Sequence, residues 1–148
     1  MNCLRLYTTL ELVRKANEKD YTNFPGEGHR IEAIDSFSGA TEGTARAALK
    51  ETKLASTLYL KIDMPVMVIQ NLSVSQGWVN GTVATIEDID DHNICLRKNG
   101  GVDEQDEVLY WIQRISRQVP GTSYVRTQFP IIPAFASTIH KSQSMTID

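Results

Sequence analysis

Cysteine is scarce in this 148-residue sequence: Cys3 and Cys95 are the only two, and no C-x-x-C pair occurs. That excludes a disulfide scaffold and a cysteine-rich zinc site, and it suits a reducing compartment. No apolar run approaches the ~20 residues of a membrane-spanning helix, and the first residues lack a secretory apolar stretch. No membrane partner is expected. An excess of one charge is missing too: the net charge is −3, without the dominant basic patch that marks many nucleic-acid binders.

Catalytic signatures are equally absent. A phosphate-cradling loop needs G-x-x-x-x-G-K-[ST], so that backbone amides wrap the phosphates and a lysine reaches them. Gly39 to Thr44 is one residue short of that spacing and has no lysine. Gly26-Glu27-Gly28 lacks the third glycine of a dinucleotide loop. There is no G-x-S-x-G elbow, His29, His92 and His140 lie far apart, and no calcium-loop spacing occurs. The expectation is that this chain supplies no catalytic residue and no metal ligand.

What remains is an ordinary globular composition, 41% hydrophobic and 22% charged, long enough for one domain or two small ones. The charge is divided. Residues 1–86 balance to zero, residues 87–107 carry eight acids against Arg97 and Lys98, and residues 108–148 sum to +3. The acidic stretch is expected on solvated turns and edges.

Leu4 to Tyr7 reads as a short strand, followed by a helix through about Lys19 from Leu12, Val13 and Ala16 at helical spacing. Pro25-Gly26 ends that unit. Arg30 to Ile34 reads as a strand and Thr44 to Leu54 as a helix. From Leu58 the pattern turns β-rich: Pro65 to Gln70, Thr82 to Ile86, Ile94 to Leu96 and Val108 to Ile112, with turn signals at Gln76-Gly77 and Asn80-Gly81. Short strands at this spacing suggest a small barrel. An apolar run, Phe129 to Phe135, then leads into a short helical stretch over Ser137 to Gln143.

That last stretch carries the chemistry. Polar and cationic side chains cluster after a strand that reads as buried, and the carboxyl ends of such strands are where α/β sheets place ligands. Thr138 and Ser142 can donate to phosphate oxygens, Lys141 supplies charge, and Gln143 can bond a sugar or base edge. Among the aromatics, Trp111 sits in an apolar strand and is assigned to the core. Trp78, beside a turn, is the candidate for base stacking.

Phe129-Pro130, Ala134-Phe135-Ala136 and Thr138-Ile139-His140-Lys141-Ser142-Gln143 closely resemble motif V of superfamily 1B DNA helicases, of the petite-integration-frequency family. Leu60-Lys61-Ile62, Pro65-Val66-Met67, Asn71-Leu72, Gly77, Val79 and Asn80-Gly81-Thr82 resemble that family's SH3-like 2B insertion domain. Thr9, Val13, Asn17, Gly26, Ala33 and Asp35 resemble the segment after its motif IV. Asp63 stands where the family commonly has glycine.

The resemblance implies an α/β fold: a partial second RecA-like lobe interrupted by a small SH3-like β-barrel. Residues 1–55 would open the lobe, 56–122 would form the insertion, and 123–148 would return to the lobe with motif V. It also implies a segment of an ATP-dependent 5′-to-3′ DNA helicase, acting in replication, repair, recombination or telomere maintenance. ATP and magnesium would serve the complete enzyme and would not bind this segment alone. Its partners would be single-stranded DNA and the first RecA-like lobe, which these residues do not include. The expected location is intracellular, in nucleus or mitochondrion if the source is eukaryotic. Thr138, His140, Lys141 and Gln143 would grip the DNA, His140 as a neutral hydrogen-bond donor. The alternative is a non-catalytic nucleic-acid-binding or interaction module built on the small barrel.

Overall fold

The computed structural model describes residues 9–39, 41–100 and 103–135. The strand expected at Leu4 to Tyr7 and the helical stretch over Ser137 to Gln143 lie outside them. The expected α/β class is present: two α-helices and ten strands form among the described residues, and every strand pairing is antiparallel.

Helix α1 spans Thr9–Asn23. It stops one residue before the Phe24-Pro25 step, because the residue preceding proline is disfavoured in the helical region. Gly26 then turns the chain at φ 118°. Strand β1, His29–Glu32, pairs with β3, Thr57–Leu60. Strand β2, Ile34–Ser36, pairs instead with β9, Val125–Gln128, which also pairs with β8, Ile115–Gln118. The single strand expected over Arg30 to Ile34 is therefore two, divided at Ala33, whose N–H donates to Ser56 O at 2.8 Å.

Helix α2, Glu42–Leu49, begins at an N-cap from Thr41 and ends five residues before the expected Leu54. Thr52 explains the early stop. Its hydroxyl donates to Leu49 O at 2.7 Å and accepts from Leu54 N at 3.2 Å, so a side chain replaces the helical backbone bonds. A 3₁₀ turn, Lys50–Thr52, and left-handed Lys53 at φ 65° complete the exit.

Five strands form the main sheet in the order β10-β4-β5-β6-β7: β4 Pro65–Val68, β5 Val83–Ile89, β6 Asn93–Gly100, β7 Asp103–Gln113 and β10 Ile131–Pro133. Its end strands β10 and β7 are not paired to one another, so the SH3-like part is an open sheet among the described residues. Leu58, Leu60, Val66, Val68, Ile86, Ile94, Leu96, Ile112, Phe129 and Ile131 are buried in one core, against which Tyr21, Phe24 and Ile31 pack. The β1–β3 and β10–β4 pairings join residues on either side of positions 55 and 122.

The acidic stretch 87–107 follows the expectation of turns and edges for most of its acids: Asp90 and Asp91 sit in the β5–β6 turn, and Asp103, Glu104, Asp106 and Glu107 lie on β7, which ends the sheet. Glu87 and Asp88 depart from it, on the inner strand β5. Asp63 adopts φ 73°, a conformation open to glycine and tolerated by short polar side chains. Its N–H donates to Ile86 O at 2.8 Å, tying the β3–β4 turn to β5.

Candidate nucleic-acid interface

The chain leaves the sheet through β10. Three backbone bonds or pairings hold that exit: Ile131 stands opposite Val68, Ile69 N donates to Pro130 O at 3.0 Å, and Ala134 N donates to Pro65 O at 3.1 Å. Phe129, Ile131 and Phe135 are buried beneath it, and Phe135 meets Phe24 with ring centroids 5.9 Å apart. This apolar strand precedes Thr138, His140, Lys141 and Gln143 in sequence, and those four lie outside the described residues.

Beside this exit is a groove of about 580 Å³ lined by Arg14, Asn17, Glu18, Tyr21, Thr22, Thr57, Tyr59 and Pro133. The β1–β3 ladder carries Tyr59 to it, α1 supplies Arg14, Asn17 and Tyr21, and β10 ends on it at Pro133. Tyr59 is 49% exposed and meets Tyr21 edge-on, with centroids 6.2 Å apart and planes at 61°. Burial, and to a lesser degree the neighbouring Tyr59, pushes the Tyr21 phenol above its ordinary pKa. Lys61 holds the two elements together. Its ammonium donates to Tyr21 O at 2.7 Å and Phe24 O at 2.8 Å and lies 4.3 Å from the Tyr21 ring centroid. A cation at the carbonyl end of α1 also opposes the helix dipole favourably. Arg14, at the rim, pairs with Glu18 at 3.2 Å and Glu11 at 3.7 Å. An exposed phenol ring, an apolar floor and a rim guanidinium suit a stacked base or sugar with a nearby phosphate.

Trp78 does not belong to such a surface, which corrects the stacking assignment. It is 0% exposed, stacks on Tyr110 with centroids 5.2 Å apart, and has the Lys98 ammonium 4.5 Å from its ring. Backbone bonds in both directions between Ser73 and Trp78 fold the loop inward and carry the indole into the core. Trp111, assigned to the core, is 52% exposed. The β7 pleat turns Tyr110 and Ile112 inward instead. Sequence reasoning also missed Tyr21, Tyr59 and Arg14, which lie in segments whose meeting depends on the long-range β1–β3 pairing. Among the described residues, no three His, Cys, Asp or Glu side chains are grouped to hold a metal.

Residues 49–89, from the end of α2 through β5, match the family model described as DNA helicase Pif1, 2B domain. The chain is 34% identical over 145 residues to the ATP-dependent DNA helicase PIF1 of Rattus norvegicus, covering 97% of this chain and 22% of that protein. It is 35% identical over 145 residues to ATP-dependent DNA helicase Pif1 of Bdellovibrio bacteriovorus, covering 97% of this chain and 31% of the relative. The chain is similar to a segment of the Pif1-like helicases. It spans between about a fifth and a third of the length of these relatives. Among solved structures, Pif1 helicase from Candida albicans matches 93% of this chain and 36% of its own, with TM-score 0.70 and 22% identity. Bacteroides Pif1 bound to ssDNA matches 92% of this chain and 30% of its own, with TM-score 0.61 and 20% identity. At those identities the likeness is one of fold. The antiparallel sheet with its two helices is therefore the fold of a Pif1-like segment.

Proposed function

We propose that this segment grips single-stranded DNA within an ATP-dependent, 5′-to-3′ DNA helicase. The observation that carries the reading is that relatives named ATP-dependent DNA helicase match 97% of the chain. ATP and magnesium belong to the complete enzyme, because these 148 residues contain no phosphate-cradling loop. The division at residues 1–55, 56–122 and 123–148 is part of the same reading. Thr138, His140, Lys141 and Gln143 contact the DNA backbone, with His140 donating a neutral hydrogen bond. The groove at Tyr59 takes the adjoining nucleotide by stacking. Support for that extension comes from β10, whose final residue lines the groove five positions before Thr138.

Salt-dependent anisotropy on a labelled oligo-dT tests this reading in the 148-residue chain and in a longer protein containing it. Each lysine–phosphate contact releases counterions, so Lys141→Ala should reduce the salt slope on single strands by about 0.7. Lys98→Ala should leave the slope unchanged, because that ammonium is bonded to Gln76 O at 3.2 Å and Gly77 O at 2.8 Å. Equal slopes for Lys141→Ala and the parent would remove the motif lysine as a DNA contact.

A further inference from the structure

The outer face of the five-stranded sheet has no place in the DNA-gripping reading. Register sets Leu109 opposite Arg97, Trp111 opposite Cys95, and Thr85 opposite Arg97, so these side chains point to one side. Leu109 is 54% exposed, Trp111 52%, and Val83, two residues along β5 from Thr85, 45%. A shallow groove of about 300 Å³ lies among Val83, Ala84, Thr85, Arg97, Lys98 and Glu107. Strand β7, which carries Leu109 and Trp111, ends the sheet and pairs only with β6 among the described residues.

The charge around these apolar groups is one-sided. Arg97 is the only cation that the described strands place on this face, and three carboxylates share it: Glu87 at 2.5 Å, Asp63 at 3.5 Å and Glu107 at 4.0 Å. The Glu87 hydrogen bond, opposed next by burial and helped by the charges of Glu87, Glu107 and Asp63, holds the Arg97 pKa above its ordinary value. Lys98 also borders the groove, but its ammonium is held over the Trp78 ring and bonded to Gln76 O and Gly77 O, away from the three carboxylates.

Charge on an edge strand can serve only to prevent self-pairing. That role accounts for the carboxylates, but it needs neither an exposed tryptophan nor its apolar neighbours. Aromatic anchors ringed by polar groups are the usual core of a protein-binding patch. The sign of the charge selects the occupant. A second copy would set like charges together, and a DNA strand would bring phosphates against three carboxylates.

We propose that this face docks an extended segment of another protein whose basic and apolar residues fall at every second position, on one face of the segment. Its apolar side chains cover Trp111 and Leu109, and its cations pair with the carboxylates that share Arg97. A period of two matters because in an extended chain residues i, i+2 and i+4 line one face, as Glu107, Leu109 and Trp111 do along β7. One face of the docked segment then sets its apolar side chains on Leu109 and Trp111 and its cations beside Glu107.

The test uses the 148-residue chain and a labelled short peptide with lysine and valine at every second position and threonine between them, followed by anisotropy. Saturable binding is expected, weakened on the order of fivefold by Trp111→Ala or Leu109→Ala and weakened further by Glu107→Lys. Glu51→Gln, at an exposed acid of the 3₁₀ turn away from this face, should bind like the parent. Thermal melts of each variant separate lost binding from lost folding, and Leu109→Ser serves as a second test should Trp111→Ala melt early. Three results would overturn the proposal: peptide affinity insensitive to Trp111 and Glu107, a Trp111-dependent dimer of the chain, or oligo-dT competing with the peptide for this face. Absence of any peptide binding would do the same.

Discussion

Arg126 clamps Asp35 across 91 positions of sequence, with Nε 2.8 Å from Oδ1 and Nη2 3.0 Å from Oδ2. Both side chains are buried. Arg46 of α2 adds a second guanidinium at 2.7 Å from Oδ2. One carboxylate therefore joins β2, β9 and α2, and Arg126 Nη1 also donates to Leu54 O at 3.3 Å. Next along β9, Gln128 is buried, and its amide donates to Ile31 O at 3.2 Å and Ala55 O at 3.1 Å. The strand that feeds β10 is held by polar groups whose partners lie between Ile31 and Ala55.

Removing half of such a pair leaves the other charge buried without a partner. Asp35→Ala should therefore lower stability by about 3–5 kcal/mol. Replacing both partners, as in Asp35→Leu with Arg126→Met, should recover most of that loss, since well-packed apolar pairs often substitute at little cost. Urea unfolding of the parent, the single variant and the double variant measures the coupling. Equal losses in the single and double variants would show that the pair is not coupled.

The two tryptophans should respond in opposite ways. Trp78→Ala empties a fully buried, stacked position and should cost about 3–5 kcal/mol. Trp111→Ala sits on an exposed face and should stay within about 0.5 kcal/mol of the parent. Quenching of indole emission by iodide gives an independent check. Trp111→Phe should abolish nearly all the quenchable signal, whereas the remaining Trp78 emission should resist the quencher until the protein unfolds.

Cys95 is buried on β6, and burial first, then the charge of Glu87, pushes its thiol above the ordinary pKa. A raised pKa in the folded state means that folding favours the protonated thiol. This contribution is fully present below the pKa of the unfolded thiol, about 8.5, and it is lost as pH rises through the higher folded value. Stability should therefore fall on the alkaline side, and Cys95→Ala should flatten that fall. In a Cys3→Ser background, alkylation should be slow in buffer and fast in urea. Rapid alkylation of the folded chain would contradict the burial.

The sheet was legible in the sequence where its pattern was apolar. Val66 and Val68, Ala84 and Ile86, and Ile94 and Leu96 alternate or cluster as strands with an inner face must, and Gly77 and Gly81 sit at positive φ within the loop their neighbours marked as turns. Strands β8 and β9 were invisible for a physical reason. The buried positions of β9 are Arg126 and Gln128, made tolerable by partners that only folding supplies. Trp78 and Trp111 were exchanged because five consecutive apolar residues, Val108 to Ile112, leave the facing of β7 undetermined until β6 pairs with it. The motif at Thr138 to Gln143 was readable as a string of residue types, whereas the Tyr59 groove was not, since α1, β3 and β10 meet only through antiparallel ladders.

The groove itself yields a test that separates contact from support. Tyr59 is exposed and its ring is offered to a ligand, so Tyr59→Ala should weaken oligo-dT binding by about 1–3 kcal/mol, the usual worth of one base–aromatic stack. Its effect on the melting temperature should be modest, because about half of the residue is exposed. Lys61 touches no solvent-facing part of the groove. Its loss in Lys61→Met keeps most of the apolar stem but takes the ammonium from Phe24 O and Tyr21 O, the latter keeping only Phe24 N–H at 3.1 Å, costing about 1–3 kcal/mol of stability. That variant should bind oligo-dT less tightly only in proportion to the loosening of α1, and lowering the temperature should restore its affinity. Tyr59→Ala should show no such recovery. If both variants melt alike and lose affinity alike, Tyr59 acts through the packing of α1, and the stacking role proposed for it falls.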